Sequence, residues 1–95
     1  MAALTNNFHG IDLSNEILNS LDKDKRKLVK SYELSYNKET SVTKHTVVFK
    51  NGEKEVKVIS DSEVLEELGI DKNDIEFNDF FHYNYLVLTR IIKEH

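Results

Sequence analysis

The side chains of this chain best suited to metal binding or acid–base chemistry are its four histidines, His9, His45, His82 and His95. No two of them are spaced two or four residues apart, the spacings that place a pair on one face of a strand or a helix. Because cysteine is absent, a metal site would need histidine and carboxylate ligands alone, such as His45, His82 and Glu76 assembled by folding. Histidines near strand surfaces are the simpler interpretation, so we expect no metal and no cofactor.

Paired carboxylates are the second possible source of chemistry. Glu66 with Glu67, or Asp71 with Asp74, could supply a general acid and a general base, but both pairs lie in a polar run with no sign of burial. The three glycines are scattered at positions 10, 52 and 69, which excludes a dinucleotide-binding fingerprint and a phosphate-binding loop. The Gly-x-Ser-x-Gly and His-Glu-x-x-His motifs are also absent. The sequence therefore predicts a protein that is not an enzyme.

Charge is distributed unevenly along the chain. Residues 1–60 carry a net charge of +2 and residues 61–95 a net charge of −6, and eight acidic residues lie between positions 61 and 79 against the single Lys72. One interpretation is a helix with an acidic first turn followed by a charged loop. The other is a docking surface for a partner protein with a basic groove. The candidate partner-binding carboxylates are Glu63, Glu66, Glu67, Asp71, Asp74, Glu76 and Asp79.

An aromatic series adjoins the acidic segment and consists of Phe77, Phe80, Phe81, Tyr83 and Tyr85. These rings fit a hydrophobic core, but five within nine residues are more than one small core easily hides. Tyrosine and phenylalanine at the edge of a charged patch are typical of protein interfaces. If Tyr83 and Tyr85 face solvent beside the acidic residues, this corner is the expected contact site.

A basic stretch provides an alternative function. Its members are Lys23, Lys25, Arg26, Lys27 and Lys30, and they could contact the phosphates of a nucleic acid. Asp22 and Asp24 interrupt the stretch, and no base-reading motif accompanies it. The simpler interpretation is a charged connector between a helix and a strand.

Hydrophobic periodicity and turn residues predict a small α+β fold. Ser14 is a suitable N-cap for a helix over 15–21, and a short helix beginning after Ser60 or Ser62 should end at Gly69. Three strands with alternating apolar residues fall near 28–36, 41–50 and 55–60. Asn51-Gly52 between the last two predicts a hairpin turn with two positive φ angles. The result is a three-stranded antiparallel meander with two helices.

The C-terminal segment 80–93 fits both periods. Phe81, Tyr83, Tyr85, Val87, Thr89 and Ile91 alternate as in a strand, whereas Phe77, Phe80, Phe81, Asn84, Tyr85, Leu88, Ile91 and Ile92 form a helical stripe. The many aromatic and β-branched residues favour a strand. We therefore predict the order α-β-β-β-α-β, with a final helix as the alternative.

Length and composition predict one soluble domain spanning residues 1–95, with 1–12 as an irregular N-terminal arm. The chain is 39% hydrophobic and 32% charged, which is typical of a globular protein. The absence of cysteine and of a signal-peptide pattern favours a cytoplasmic location, and no apolar run approaches the length of a membrane span.

The stretch Phe49-Lys50-Asn51-Gly52-Glu53-Lys54-Glu55-Val56-Lys57-Val58-Ile59-Ser60-Asp61-Ser62-Glu63 resembles part of the small phage-encoded anti-CRISPR inhibitors of Cas9. The resemblance lies in the layout, namely a hairpin, a capped helix and an acidic C-terminal part, and covers about a sixth of the chain. It implies a non-enzymatic inhibitor from a phage or mobile element that binds a nucleic-acid-binding effector protein. The same features fit a toxin-neutralising immunity protein, and an exposed strand edge would also suit a homo-oligomeric structural protein.

Overall fold

The structure is a computed structural model that describes residues 13–37 and 39–95. Its elements in chain order are α1 (Leu13–Asn19), α2 (Lys23–Arg26), β1 (Val29–Asn37), β2 (Val42–Phe49), β3 (Lys54–Ser60), α3 (Asp61–Leu68) and α4 (Phe77–Glu94). The predicted N-terminal arm lies outside the described residues. The predicted α+β class is confirmed, while α2 is an additional short helix where only a polar connector was predicted.

The three strands form the predicted antiparallel meander in the order β1-β2-β3. A bulge interrupts the β1–β2 register between Val29 and Ser31, and it changes which apolar residue enters the core. Val29 is fully buried beside Tyr32, whereas Leu28 is 51% exposed. Strict alternation over the predicted strand 28–36 would place Leu28 on the buried face with Tyr32, and this is wrong because alternation does not continue through a bulge.

The hairpin between β2 and β3 is present, but its turn differs from the prediction. The N–H of Gly52 donates to the carbonyl of Phe49 at 3.0 Å, and the N–H of Phe49 donates to the carbonyl of Glu53 at 2.8 Å. Of the two turn residues, Gly52 alone has a positive φ, at 94°. The connection is thus a three-residue loop closed by glycine rather than a two-residue turn with two positive φ angles.

The signals at the ends of α3 are confirmed. The Ser60 hydroxyl accepts a hydrogen bond from the N–H of Glu63 at 3.2 Å and caps the helix. At the other end Gly69 adopts a φ of 67°, and the N–H of Ile70 reaches back to the carbonyl of Leu65 at 3.3 Å. A left-handed residue followed by this long-range bond is the usual glycine stop of a helix.

The C-terminal segment is a helix of 18 residues, so the preferred strand is wrong and the stated alternative is right. Its buried residues recur at the helical spacing of three and four: Phe80, Tyr83, Asn84, Val87, Leu88, Ile91 and Ile92. The inner face of the sheet is apolar and needs a cover, and one long amphipathic helix provides it. Tertiary burial therefore overrides the strand propensity of the aromatic and β-branched residues.

Buried side chains of all three strands lie on this inner face, including Val29, Val47, Phe49 and Ile59. Helix α4 reaches the far end of the hairpin, where the ring of His95 stacks on Phe49 with a centroid distance of 3.7 Å. The Nε2 atom of His95 lies 3.3 Å from a carboxylate oxygen of Glu53. These contacts join the end of α4 to the β2–β3 hairpin.

A polar pair is enclosed in this core. His45 is 1% exposed, and its Nδ1 atom lies 2.7 Å from the hydroxyl of Tyr32. Burial raises the pKa of Tyr32, so the hydroxyl stays protonated. Burial, assisted by the positive charge of Lys57, lowers the pKa of His45 to about 4. His45 is thus held neutral as the hydrogen-bond partner of Tyr32.

We predict that His45 makes the fold acid-sensitive. From its ordinary pKa of 6.5 down to about 4, the unfolded chain takes up a proton that the folded chain does not. The free energy of unfolding should therefore decrease as the pH falls through this window, by about 3 kcal/mol from this residue. Urea denaturation at both ends of the window measures the decrease.

The matched variant is His45→Gln, whose amide can still form a hydrogen bond with Tyr32 but does not titrate. The stability of the variant at neutral pH does not matter, because the comparison is between the two changes in the free energy of unfolding with pH. The free energy of unfolding should fall more steeply with decreasing pH in the wild type than in the variant, and equal slopes would contradict the prediction.

Candidate protein-binding surface

The seven candidate carboxylates follow one another along α3, the loop 69–76 and the first turn of α4. Six are exposed, namely Glu63, Glu66, Glu67, Asp71, Asp74 and Glu76, and Asp79 is half-buried. We call these seven residues the acidic surface. Helix α3 buries Val64 and packs Leu65 and Leu68 against the core, while its three glutamates remain exposed.

No basic side chain neutralises the acidic surface through an ion pair within residues 13–37 and 39–95. The close contacts between basic and acidic side chains found there join Lys25 to Asp22 and the imidazole of His95 to Glu53 and Glu55. The carboxylates of the acidic surface outnumber the cations near them, which are Lys72 in the same loop and Lys57 and Arg90 beside Glu63 and Glu67, so the net field there is negative. A field of this kind attracts a positively charged partner and raises the rate of association.

Two members of the acidic surface also have a structural role. The N–H of Glu76 donates to a carboxylate oxygen of Asp79 at 3.2 Å, which satisfies one of the free backbone donors at the start of α4. Asp79 also places its negative charge at the positive end of the helix dipole. The helix N-terminus thus explains why an acidic residue stands at position 79. Asp71 and Asp74 in the preceding loop have no such role at a helix N-terminus.

Tyr83 and Tyr85 do not stand together on an exposed face, so this part of the expected contact site is wrong. The expectation treated the segment as a strand, in which residues two apart share a face, whereas in a helix they lie about 200° apart. Tyr83 is 5% exposed and is enclosed next to α3. Tyr85 is half-buried on the other side of α4, near Lys25 and the ring of His82.

The half-buried rings near the acidic surface are instead Phe77 and Phe81. They are four residues apart on the first turns of α4, and their ring centroids are 5.9 Å apart at an interplanar angle of 47°. This geometry is typical of a favourable aromatic pair. Both residues belong to the helical stripe found in the sequence. The strand interpretation did not predict their contact, because it did not place them on adjacent turns of a helix.

A small cleft lies where α3, α4 and β3 meet, with a volume of about 90 Å³. Glu63 and Glu67 of the acidic surface line it together with Tyr83, Arg90 and Lys57. Burial and the two carboxylates raise the pKa of Tyr83 to about 12, so its hydroxyl is a hydrogen-bond donor at neutral pH. The cleft is smaller than the roughly 300 Å³ at which small-molecule sites begin. Sequence reasoning missed Arg90 and Lys57, since nothing in their spacing links them to α3.

The basic stretch is partly occupied by internal contacts. The ammonium of Lys25 lies 3.1 Å from a carboxylate oxygen of Asp22, the residue that caps α2. The guanidinium of Arg26 donates to the carbonyl of Val29 at 2.9 Å. Lys23, Lys27 and Lys30 are exposed. Three of the five candidate cations therefore extend into solvent without a described ion pair.

The residues considered for a metal site do not come together. His45 is buried in the core beside Tyr32, whereas His82 and Glu76 are exposed on and before α4. The part of the chain that the structure describes contains no group of three or more histidine or acidic side chains that could hold a metal ion. His9 lies outside the described residues.

Comparison of the chain with protein-family models, with curated proteins and with solved structures gave no match. None of the helices within 13–37 and 39–95 combines the length and the apolar composition needed to cross a membrane.

We predict that Asp79→Ala destabilises the fold by about 1 kcal/mol, because it leaves the N–H of Glu76 without its acceptor and removes a charge from the helix N-terminus. The matched control is Asp74→Ala, which removes an exposed carboxylate in the preceding loop and should leave stability within about 0.5 kcal/mol of wild type. Chemical denaturation measures both variants. If Asp79→Ala and Asp74→Ala have equal free energies of unfolding, the structural role of Asp79 is wrong.

Proposed function

We propose that this protein is a non-enzymatic binding module that presents the acidic surface to a partner protein with a basic surface. The observation that carries the proposal is the run of exposed carboxylates on α3 and its following loop, without a neutralising ion pair among the described residues. Charges in such an arrangement repel one another and favour a partner of opposite sign. Phe77 and Phe81 supply apolar contact area at the border of this surface.

A nucleic-acid-binding effector protein is the partner class within this proposal, because its binding groove is basic. A domain with a band of carboxylates can occupy such a groove in place of the phosphates. The resemblance to phage-encoded inhibitors of Cas9 leads to the same class, and it makes Cas9 the first partner to try. A cytoplasmic location belongs to the proposal too, since the chain has no cysteine that an oxidising compartment would pair.

Direct nucleic-acid binding through the basic stretch is the less favoured function. Lys25 and Arg26 already bind acceptors within the chain, which leaves Lys23, Lys27 and Lys30 for phosphates. The acidic surface would also repel a nucleic acid that approached from its side.

We predict that reversing the charge of the acidic surface abolishes capture of the partner. The test variant is Glu66→Lys/Asp71→Lys/Asp74→Lys, since none of these side chains makes a described ion pair. The matched control is Glu33→Lys/Glu39→Lys/Glu94→Lys, which changes the net charge equally at three other exposed positions. Circular dichroism of each variant checks that the fold is retained.

The first measurement is biolayer interferometry against purified Cas9 with guide RNA at low and high salt. The second is quantitative mass spectrometry of proteins that the immobilised wild type and both variants retain from a bacterial lysate. We expect a protein that the wild type and the control bind and the test variant loses, and binding should weaken as salt rises. If no protein distinguishes the two variants, the proposed function is wrong.

A further inference from the structure

The outer edge of β3 is a second unpartnered feature of the fold. The sheet order ends with β3, and residues 54 to 58 are all exposed in the described structure. Val56 and Val58 are 47% and 54% exposed, so two apolar side chains lie in water at this edge. An edge strand of this kind presents free backbone donors and acceptors to another strand.

The hydrogen-bond pattern shows which residues of β3 offer these groups. The bond from the N–H of Phe49 to the carbonyl of Glu53 marks a hydrogen-bonded pair, and the register continues unbroken through the β2–β3 ladder. Because such pairs alternate along antiparallel strands, Glu55 and Lys57 direct their backbone groups towards β2. Lys54, Val56 and Val58 direct theirs outward.

The side chains of the same strand alternate between its two faces. Val56 and Val58 lie on the outer face, and Glu55 and Lys57 lie on the inner face. Glu55 and Lys57 are therefore opposite charges, two residues apart, on one side of an open edge. Within the described residues the only ion-pair neighbour of Glu55 is His95 at 4.0 Å, and Lys57 makes no described ion pair.

We propose that β3 is a self-association site, at which a second copy of this chain adds its own β3 antiparallel, with Val56 opposite Val56 on a two-fold axis. In this register Glu55 of each copy lies opposite Lys57 of the other, which forms two equivalent ion pairs. Both occupy positions that are not hydrogen-bonded across the new ladder, where opposing side chains are closest. Opposite charges that face each other across strands stabilise the pairing.

Charge selects this register over its neighbours. Sliding one β3 strand by two residues in one direction places Lys57 opposite Lys57. Sliding it by two residues in the other direction places Glu55 opposite Glu55. Like charges directly opposite are destabilising, whereas the proposed register places the two inner-face charges of β3, Glu55 and Lys57, opposite each other. The backbone allows all three arrangements, so the alternation of Glu55 and Lys57 makes the choice.

The proposed pairing also covers the exposed valines. Val56 meets its own counterpart, and Val58 lies opposite Lys54, whose aliphatic stem can pack on it. The two sheets become one sheet of six strands, and the ends of the new sheet are the two β1 strands. A two-fold contact of this sort is self-limiting and does not continue into a fibre.

Disulfide trapping tests the register, because the natural chain has no cysteine. Under mild oxidation Val56→Cys should form a covalent dimer rapidly, since residues opposite each other in a hydrogen-bonded pair have Cα atoms about 5.5 Å apart, within disulfide range. Val58→Cys is the matched control at an equally exposed position. In the proposed register, residue 58 of one chain and residue 58 of the other are offset by four residues along the strands, about 13 Å, which is too far for a disulfide bridge.

Charge variants test the energetics in sedimentation velocity. Wild type should show a species of twice the chain mass of 11.1 kDa that dissociates on dilution. Lys57→Glu alone and Glu55→Lys alone each create like charges across the strands, and we expect each to weaken the dimer by about tenfold or more. A mixture of the two variants restores both attractive pairs and should form a heterodimer as strong as the wild-type dimer.

Three results would overturn the proposal: a monomer at every concentration, bridging of Val58→Cys as fast as that of Val56→Cys, or no recovery in the mixture. The first result overturns the proposal even if the β3 edge of the monomer binds an extended peptide from another protein. Val56→Cys and Glu55→Lys change no residue of the acidic surface or of the cleft that Glu63 and Glu67 line, so with these variants a failed dimer and a failed partner capture remain separate outcomes.

Discussion

The packing of α4 across the inner face of the sheet is the contact on which the remaining structure depends. Leu88 of the helix and Val47 of the central strand are both fully buried, and Phe49 is 2% exposed beneath the stacked ring of His95. In a chain of 95 residues no second core could replace this one. Because α4 occupies the centre, α1 and α3 pack beside it, and the loop 69–76 joins the end of α3 to the start of α4.

Most local signals predicted their elements, although the predicted N-cap at Ser14 is wrong because α1 spans Leu13–Asn19 and includes that residue. The Ser60 cap, the Gly69 stop and the β2–β3 hairpin each depend on residues within a few positions of one another. The C-terminal helix could not be read in this way, because its sequence satisfies both periods. The deciding factor was the apolar inner face of the meander, a surface that exists only after three distant strands have paired.

The choice of a strand for the C-terminal segment also explains how much of the candidate site could be predicted. The exposure of Glu66, Asp71 and Asp74 follows from the polar composition of the segment, which does not depend on the choice of element. The position of the tyrosines does depend on it, since a helix separates Tyr83 from Tyr85 where a strand would align them. Once α4 is a helix, the aromatic residues at its exposed start are Phe77 and Phe81, four residues apart. The Glu55 and Lys57 pattern was readable in the sequence, but its meaning required knowing that β3 ends the sheet.

The two proposals assign different kinds of partner to the two surfaces, and both rest on Coulomb interactions. On the acidic surface, charges of one sign accumulate, so two copies repel each other there and the surface remains available to a basic partner. On β3, the signs alternate with a spacing of two residues, so a two-fold axis brings each charge opposite its complement and favours a second copy. The two-fold axis through Val56 also runs the two β3 strands in opposite directions. Because α3 directly follows β3, the axis places the two copies of α3, with their acidic surfaces, at opposite ends of the paired β3 strands.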